Sequence, residues 1–190
     1  MLAKPKQSKM KKIVLPAFIG LIMILSVVGF ALTYNSDSPQ GNLDSYTYNG
    51  HQYTRTDAGW VVKLNEGYAS FNYGPKELED IKLPIFSLPS KVYVAYDPED
   101  KDQNIDFIIQ KLNNILLYKN TRPVAACIKE SKSCPNIPVV NCNSGDKVIA
   151  IYKGDKAEVN TDTNCLNIKG STLELNRITD KLAMHWLGLL

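Results

Sequence analysis

Residues 92–128 read VYVAYDPEDKDQNIDFIIQKLNNILLYKNTRPVAACI, and the central unit of the domain can be inferred from them. Residues 92–96 and 122–128 are rich in β-branched and other apolar residues, which predicts two short strands. Residues 103–119 between them predict an amphipathic helix, because their apolar side chains recur at helical spacing. Those side chains are Ile105, Ile108, Ile109, Leu112, Ile115 and Leu116. A strand, a helix and a strand in this order are typical of a right-handed βαβ unit.

Three turn signals divide the sequence upstream of this unit into four strand-like segments over residues 46–73. The signals are Asn49-Gly50, Asp57-Ala58-Gly59 and Asn65-Glu66-Gly67. Asn-Gly between β-forming residues is the strongest short hairpin signal, because both positions tolerate a positive φ. We therefore expect a four-stranded antiparallel meander, followed by a short helix at residues 76–81 with Pro75 at its first position.

Further strand-like segments and a helix are expected downstream. Residues 172–189 carry apolar side chains at helical spacing and predict an amphipathic terminal helix. Ser171 is expected to be its N-cap, and Glu174 completes a capping box. We expect a second antiparallel set of strands at residues 147–152, 156–159 and 164–168.

A long apolar run precedes these elements. Residues 13–32 contain almost only apolar residues, and a helix of that length spans about 30 Å, the thickness of the hydrocarbon core of a bilayer. We expect a transmembrane helix at residues 13–34, a basic cytoplasmic tail at 1–12 and a polar tether at 35–45. The five lysines and the absence of acidic residues in the tail favour a cytoplasmic N-terminus. The mixed α/β (α+β) domain at residues 46–190 is therefore expected to be extracytoplasmic.

The net charge of the chain bears on the partners of the domain. The chain has a net charge of +3, and the five lysines of the tail exceed it, so the domain is slightly acidic and is not expected to bind nucleic acid.

For the apolar run we favour an uncleaved signal-anchor in a single-pass protein. The alternatives are a signal peptide cleaved after Ala31 and a pilin-like assembly helix.

All the cysteines, Cys127, Cys134, Cys142 and Cys165, lie in the domain. An even number of cysteines in an oxidising compartment predicts disulfide bonds. We favour the pairs Cys127–Cys134 and Cys142–Cys165, because each closes a local loop. Their spacing fits neither common zinc sites nor a C-x-x-C redox motif, so metal binding and redox catalysis are the less favoured readings.

Three residues are candidate binding residues. Asp97 follows a strand of the βαβ unit, and open α/β sheets bind ligands at the carboxyl ends of their strands. Tyr53 and Trp60 belong to a cluster of aromatic residues in the meander, and an exposed face of such residues could bind a glycan, a peptide or a protein. Core packing and cross-strand pairing are the favoured alternative for this cluster.

One acidic motif has the beginning of a calcium-binding loop. Asp100, Asp102, Asn104 and Asp106 alternate, but the sixth and twelfth positions hold Ile105 and Lys111 where such a loop needs Gly and Glu. The favoured interpretation is that Asp100 and Asp102 cap the following helix. The sequence therefore predicts no metal and no cofactor, and no catalytic residues are assigned.

Several segments carry a resemblance to a known group of proteins: Asn49-Gly50-His51, Trp60, and residues 76–79 (KELE), 95–98 (AYDP) and 134–142 (CPNIPVVNC). With these segments the chain resembles uncharacterised single-pass membrane proteins of archaea over most of the domain. The resemblance implies an anchored domain with cysteine bridges and brings no activity with it.

Taken together, these features predict a membrane-anchored extracytoplasmic interaction or assembly module of the cell envelope that is not an enzyme. Its expected partners are the lipid bilayer, through residues 13–34, and an envelope protein. Two alternatives stay open. One is an envelope enzyme, a hydrolase or thiol oxidoreductase that uses Asp97 or a free cysteine, and the other is a pilin-like filament subunit.

Overall fold

The computed structural model describes Met23, residues 44–100 and residues 103–190. Residues 44–190 form a compact unit of their own. The expected tail at 1–12, the membrane helix at 13–34 apart from Met23, and the tether apart from its last two residues lie outside the described residues. Among the residues that are described, no helix is both long enough and apolar enough to cross a membrane.

The first sheet of the domain is the expected antiparallel meander, with its strands in the order β1-β2-β3-β4. Its first hairpin turns at Asn49 and Gly50, whose φ angles of 47° and 79° are those that an Asn-Gly turn supplies at low steric cost. A short 3-10 helix, Pro75–Leu78, stands where residues 76–81 predicted a helix. The strands are β1 (Ser45–Tyr48), β2 (His51–Thr56), β3 (Gly59–Leu64) and β4 (Gly67–Phe71).

The second sheet has five strands in the order β6-β5-β7-β9-β8. β5 is parallel to both β6 and β7, β7 is parallel to β9, and only β8 runs antiparallel, on the outside of β9. The predicted strand–helix–strand unit is therefore confirmed as a parallel pair. The strands are β5 (Lys91–Tyr96), β6 (Arg122–Cys127), β7 (Val148–Lys153), β8 (Glu158–Asp162) and β9 (Cys165–Gly170).

The expected second antiparallel set is only partly correct. β8 and β9 form an antiparallel pair, but β7 pairs with two parallel neighbours instead of with β8. The first four residues of β7 are all buried, as is typical of a strand that is covered on both faces of a parallel sheet. β7 and β8 are neighbours in the sequence, whereas in the sheet β9 lies between them.

The helices α1 (Gln103–Tyr118) and α2 (Thr172–Leu187) contact each other, and they pack against β6 and β9 respectively. The side chain of Ser171 accepts the backbone N–H of Glu174, so the expected N-cap is confirmed. The segment just beyond α2 contacts the meander, where the hydroxyl of Tyr53 donates to the carbonyl oxygen of Leu189 at 3.3 Å. Apolar side chains of both sheets and both helices consequently share one core.

The other face of the five-stranded sheet has a smaller core and is covered by the loop between β6 and β7. Small residues of the sheet, such as Ala95 and Ala150, pack there with Val140 of the loop. The disulfides Cys127–Cys134 and Cys142–Cys165 tie this loop to the ends of β6 and β9. The predicted disulfide bonds are thus confirmed, with the favoured pairing.

Candidate functional site

A groove with a volume of about 620 Å³ lies between the outer edge of β4 and helix α1. One wall is formed by residues 68–72 and the other by α1, with Asn176 and Leu187 of α2 completing the lining. We call this feature the β4–α1 groove. The α1 side chains that line it are Asn104, Phe107, Gln110, Lys111, Asn114 and Ile115.

The β4 wall presents the edge of a strand. β4 pairs with β3 through a two-residue turn, with Leu64 opposite Gly67 and Lys63 opposite Tyr68. In such a hairpin the closing pair is hydrogen bonded and bonding then alternates along the ladder. The backbone N–H and C=O groups of Tyr68 and Ser70 therefore point away from β3 and toward the groove. Within residues 44–100 and 103–190, no strand pairs with this edge of β4.

β4 differs from the edge strands of the other sheet. β6 contains Pro123 and begins with Arg122, and β8 contains Glu158 and Asp162. Proline and charged side chains are the usual means of preventing a sheet edge from pairing with another chain. β4 has the sequence GYASF, which contains neither. Its edge is therefore chemically suited to accept a partner strand.

The α1 wall combines carboxamides with an exposed aromatic ring. Asn104, Phe107, Gln110 and Asn114 recur at the spacing of one helix face. The side chain of Phe107 is 58% exposed although its helix is part of the core. Carboxamides both donate and accept hydrogen bonds, so this wall can satisfy a neutral polar ligand while the ring supplies apolar contact.

Lys111 and Asp180 form an ion pair at the base of the groove. The Asp180 carboxylate is completely buried, and it also accepts the backbone N–H groups of Tyr73, at 3.0 Å, and Asn72. Burial raises the pKa of Asp180, and the attraction of Lys111 and the two backbone donors act against that rise. The pair joins both helices to the chain just after β4 and thereby fixes the two walls relative to each other.

Two of the candidate binding residues from the sequence, Tyr53 and Trp60, lie in the core. The side chain of Tyr53 is fully buried and that of Trp60 is nearly so. Tyr53 stacks on Tyr46, and the indole N–H of Trp60 donates to Oε2 of Glu77 at 2.7 Å. Neither side chain lines the β4–α1 groove. Both residues therefore lie in packed, hydrogen-bonded positions. This agrees with the favoured alternative for the aromatic cluster, which was core packing and cross-strand pairing.

Asp97 lies after β5, at the carboxyl end of a parallel strand, as the sequence indicated. Its carboxylate forms an ion pair with Lys129 at 2.9 Å and accepts the backbone N–H of Glu99 at 3.0 Å. Hydrogen bonds from Lys129 to Glu99 and Asp97 raise the pKa of the lysine. Asp97 is not part of the β4–α1 groove, so the structure does not bring together the residues that the sequence singled out.

The acidic motif after β5 is described only in part, since Asp102 lies outside the described residues. In the part of the chain that the structure does describe, no three His, Cys, Asp or Glu side chains are grouped as a metal site would require. All four cysteines are in disulfides.

Sequence reasoning missed the β4–α1 groove. The predicted elements on both sides of it were correct, and the polar residues of the helix, including Asn104, Gln110 and Asn114, were visible in the sequence. These polar residues face the edge of β4, and residues 74–102 separate the two in the sequence. Their proximity depends on how the two sheets pack. Comparison with protein families, with curated proteins and with solved structures found no match to this chain.

Proposed function

We propose that this protein is an interaction module of the cell envelope that binds a partner in the β4–α1 groove. The observation that carries the proposal is the composition of that groove, in which carboxamide side chains and an exposed ring face the edge of a strand. Concave sites with a few convergent polar groups are the usual location of ligand binding. The ion pair between Lys111 and Asp180 supports the proposal, because it holds the two walls in a preformed arrangement.

The proposed location is the outer side of a membrane, with residues 13–34 as an uncleaved anchor in the lipid bilayer and the N-terminus in the cytoplasm. The apolar composition of those residues and the lysines of the tail support the anchor and its orientation. Two disulfides support an oxidising environment for the domain. The anchor would keep the groove at the membrane surface, where an envelope protein could reach it.

Site-specific photocrosslinking tests the groove as a partner site. We replace Phe107 by p-benzoylphenylalanine in the full-length chain and irradiate intact cells of the native host. We expect a discrete covalent adduct of constant mass. The matched control places the same probe at Leu173, which is 59% exposed and does not line the groove. Equal adducts from both positions, or none from either, would contradict the proposed function.

A second pair of variants tests whether the adduct depends on the shape of the groove. Gln110→Trp places a bulky ring between the two walls and is expected to abolish the adduct from the probe at position 107. Lys119→Trp places the same ring just beyond the end of α1, at an exposed position, and should leave the adduct unchanged. An adduct that survives Gln110→Trp would show that the partner contacts Phe107 from outside the groove.

The membrane location has its own test. After alkaline carbonate extraction the full-length chain should stay with the membranes, and a membrane-impermeant amine reagent should label its domain in intact cells. Recovery of the intact chain in a detergent-free soluble fraction would refute the anchor.

A further inference from the structure

We propose that the occupant of the β4–α1 groove is an extended polypeptide segment that pairs with β4 as a fifth strand of the meander. This inference rests on the proposed function and specifies the chemistry of the partner. The backbone of β4 provides the first argument. Tyr68 and Ser70 each direct one N–H and one C=O toward the groove, as derived from the register with β3. An extended backbone is the ligand that satisfies such a row of alternating donors and acceptors.

The dimensions of the groove fit a short strand. Its α1 wall extends from Asn104 to Ile115, which is about 17 Å along a helix axis at 1.5 Å per residue. A strand of five residues, the length of β4, covers about 17 Å at 3.3 Å per residue. The groove can therefore hold a segment of about five residues along its whole length.

The helix wall lies where the inner face of a fifth strand would rest. Phe71 of β4 is buried in the core and Tyr68 is 72% exposed, so the two faces of the meander are distinct at its edge. The next strand position beyond β4 adjoins α1, where Phe107 is still exposed. A fifth strand would cover this ring with side chains from one of its faces, and its other face would remain in water.

The spacing along α1 predicts which side chains the partner segment carries. Phe107 and Ile115 are the apolar residues of the α1 wall, and eight helical residues separate them by about 12 Å. Residues i and i+4 of a strand share a face and lie about 13 Å apart. We therefore infer apolar residues at i and i+4, with a neutral polar residue at i+2 that faces Gln110.

The charge of the groove favours a neutral backbone over a charged polymer. Among the described residues that line the groove, Lys111 is the one charged side chain, and its partner Asp180 neutralises it. A neutral oligosaccharide is the competing occupant, since carboxamides and an aromatic ring also suit sugars. The row of backbone groups on β4 favours the peptide, because a sugar has no matching repeat.

The test uses the full-length chain in mild detergent, with a phage-displayed library of random heptapeptides as the probe. We expect selected peptides to share the apolar spacing i, i+4. N-methylation of amides that face β4 should weaken binding about tenfold, the equivalent of one or two hydrogen bonds, while methylation of the amides between them should have little effect. The same loss at every methylated position, or no loss at any, would overturn strand pairing.

A matched pair of proline variants tests the protein side. Ser70→Pro removes an outward N–H of β4 without removing a bond to β3, and it should weaken peptide binding at least about tenfold. Thr161→Pro does the same at the outer edge of β8, because Thr161 occupies the equivalent place in the β8–β9 register, and it should leave binding unchanged. If Ser70→Pro does not fold, the methylated peptides still decide the question.

The outcomes separate this inference from the proposed function. One outcome is that no peptide is selected, while neutral oligosaccharides bind and lose binding when Phe107 is replaced. In that case the groove remains a binding site and strand pairing is refuted. If neither the peptides nor the oligosaccharides bind and photocrosslinking at position 107 gives no adduct, both proposals fail.

Discussion

Lys111 of α1 and Asp180 of α2 form an ion pair in which the carboxylate is fully buried and the lysine is partly exposed. Because the same carboxylate accepts N–H groups from Asn72 and Tyr73, one side chain of α2 holds the end of β4 and the neighbouring helix. A pair in this position determines the geometry of the groove above it. Its removal should therefore change stability as well as binding.

The first prediction concerns this ion pair. Lys111→Met leaves the buried carboxylate without its charge partner, and we expect the free energy of unfolding to fall by about 3 kcal/mol. Lys119→Met removes an exposed lysine near the end of the same helix and should change stability by less than about 0.5 kcal/mol. Urea denaturation at neutral pH measures both. Equal stability of the two variants would show that the pair contributes nothing.

The second prediction concerns Tyr53 at alkaline pH. Burial raises the pKa of its hydroxyl from 10.0 to about 12. Because the folded protein holds this proton more tightly than the unfolded chain, its contribution to stability is complete below pH 10 and is lost as the pH rises toward 12. In Tyr53→Phe this source of pH dependence is absent.

We therefore expect the stability of the wild-type protein to decrease relative to Tyr53→Phe over that pH interval, by about 2–3 kcal/mol in total. Paired urea titrations at several alkaline pH values give the difference. Parallel pH profiles for the two proteins would refute the burial of this hydroxyl.

The third prediction compares two glycines. A Cβ at Gly74 would meet the hydroxyl of Tyr46 and would lie 3.0 Å from the ring of Trp60, which is held by its hydrogen bond to Glu77. A Cβ at Gly154 would meet the side chain of Lys169, which can move away. Gly74→Ala should therefore destabilise the domain by about 1–3 kcal/mol, and Gly154→Ala by less than about 1 kcal/mol. Thermal unfolding of both variants checks the order, and the reverse order would contradict the described packing around Trp60.

The fourth prediction concerns the disulfides, which close loops of different length. The sequence separation is 23 residues for Cys142–Cys165 and 7 residues for Cys127–Cys134. In the chain-entropy picture, replacing both cysteines by alanine should cost about 3.4 kcal/mol for the longer loop and about 2.5 kcal/mol for the shorter one. Denaturant unfolding of the two double variants measures the costs. A larger loss from the shorter loop would show that local packing, rather than loop entropy, dominates.

The sequence predicted the elements well where local signals were strong. The turn residues Asn49-Gly50 and the apolar stripe on α1 led to the correct meander and the correct strand–helix–strand unit. The N-cap at Ser171 and the disulfide bonds followed from equally local features. Each of these features depends on neighbours within a short stretch of chain, which is why the sequence suffices for them.

The errors concern relationships between distant segments. The position of β7 depends on β9 inserting between β7 and β8, and no local property of residues 147–152 specifies that order. The surroundings of two candidate binding residues depend on distant packing in the same way. Tyr53 and Trp60 are aromatic residues in alternating strands, and only the packing of the meander on α2 shows that they face the core.

Amide-resolved hydrogen exchange of the full-length chain, with and without a peptide from the heptapeptide selection, shows whether a partner strand pairs with β4. If the partner pairs with β4, the amides of Tyr68 and Ser70 should become protected when the peptide binds, and the outward amide of Thr161 on β8 should not change. Unchanged exchange at Tyr68 and Ser70 in a saturated complex would refute strand pairing in the groove.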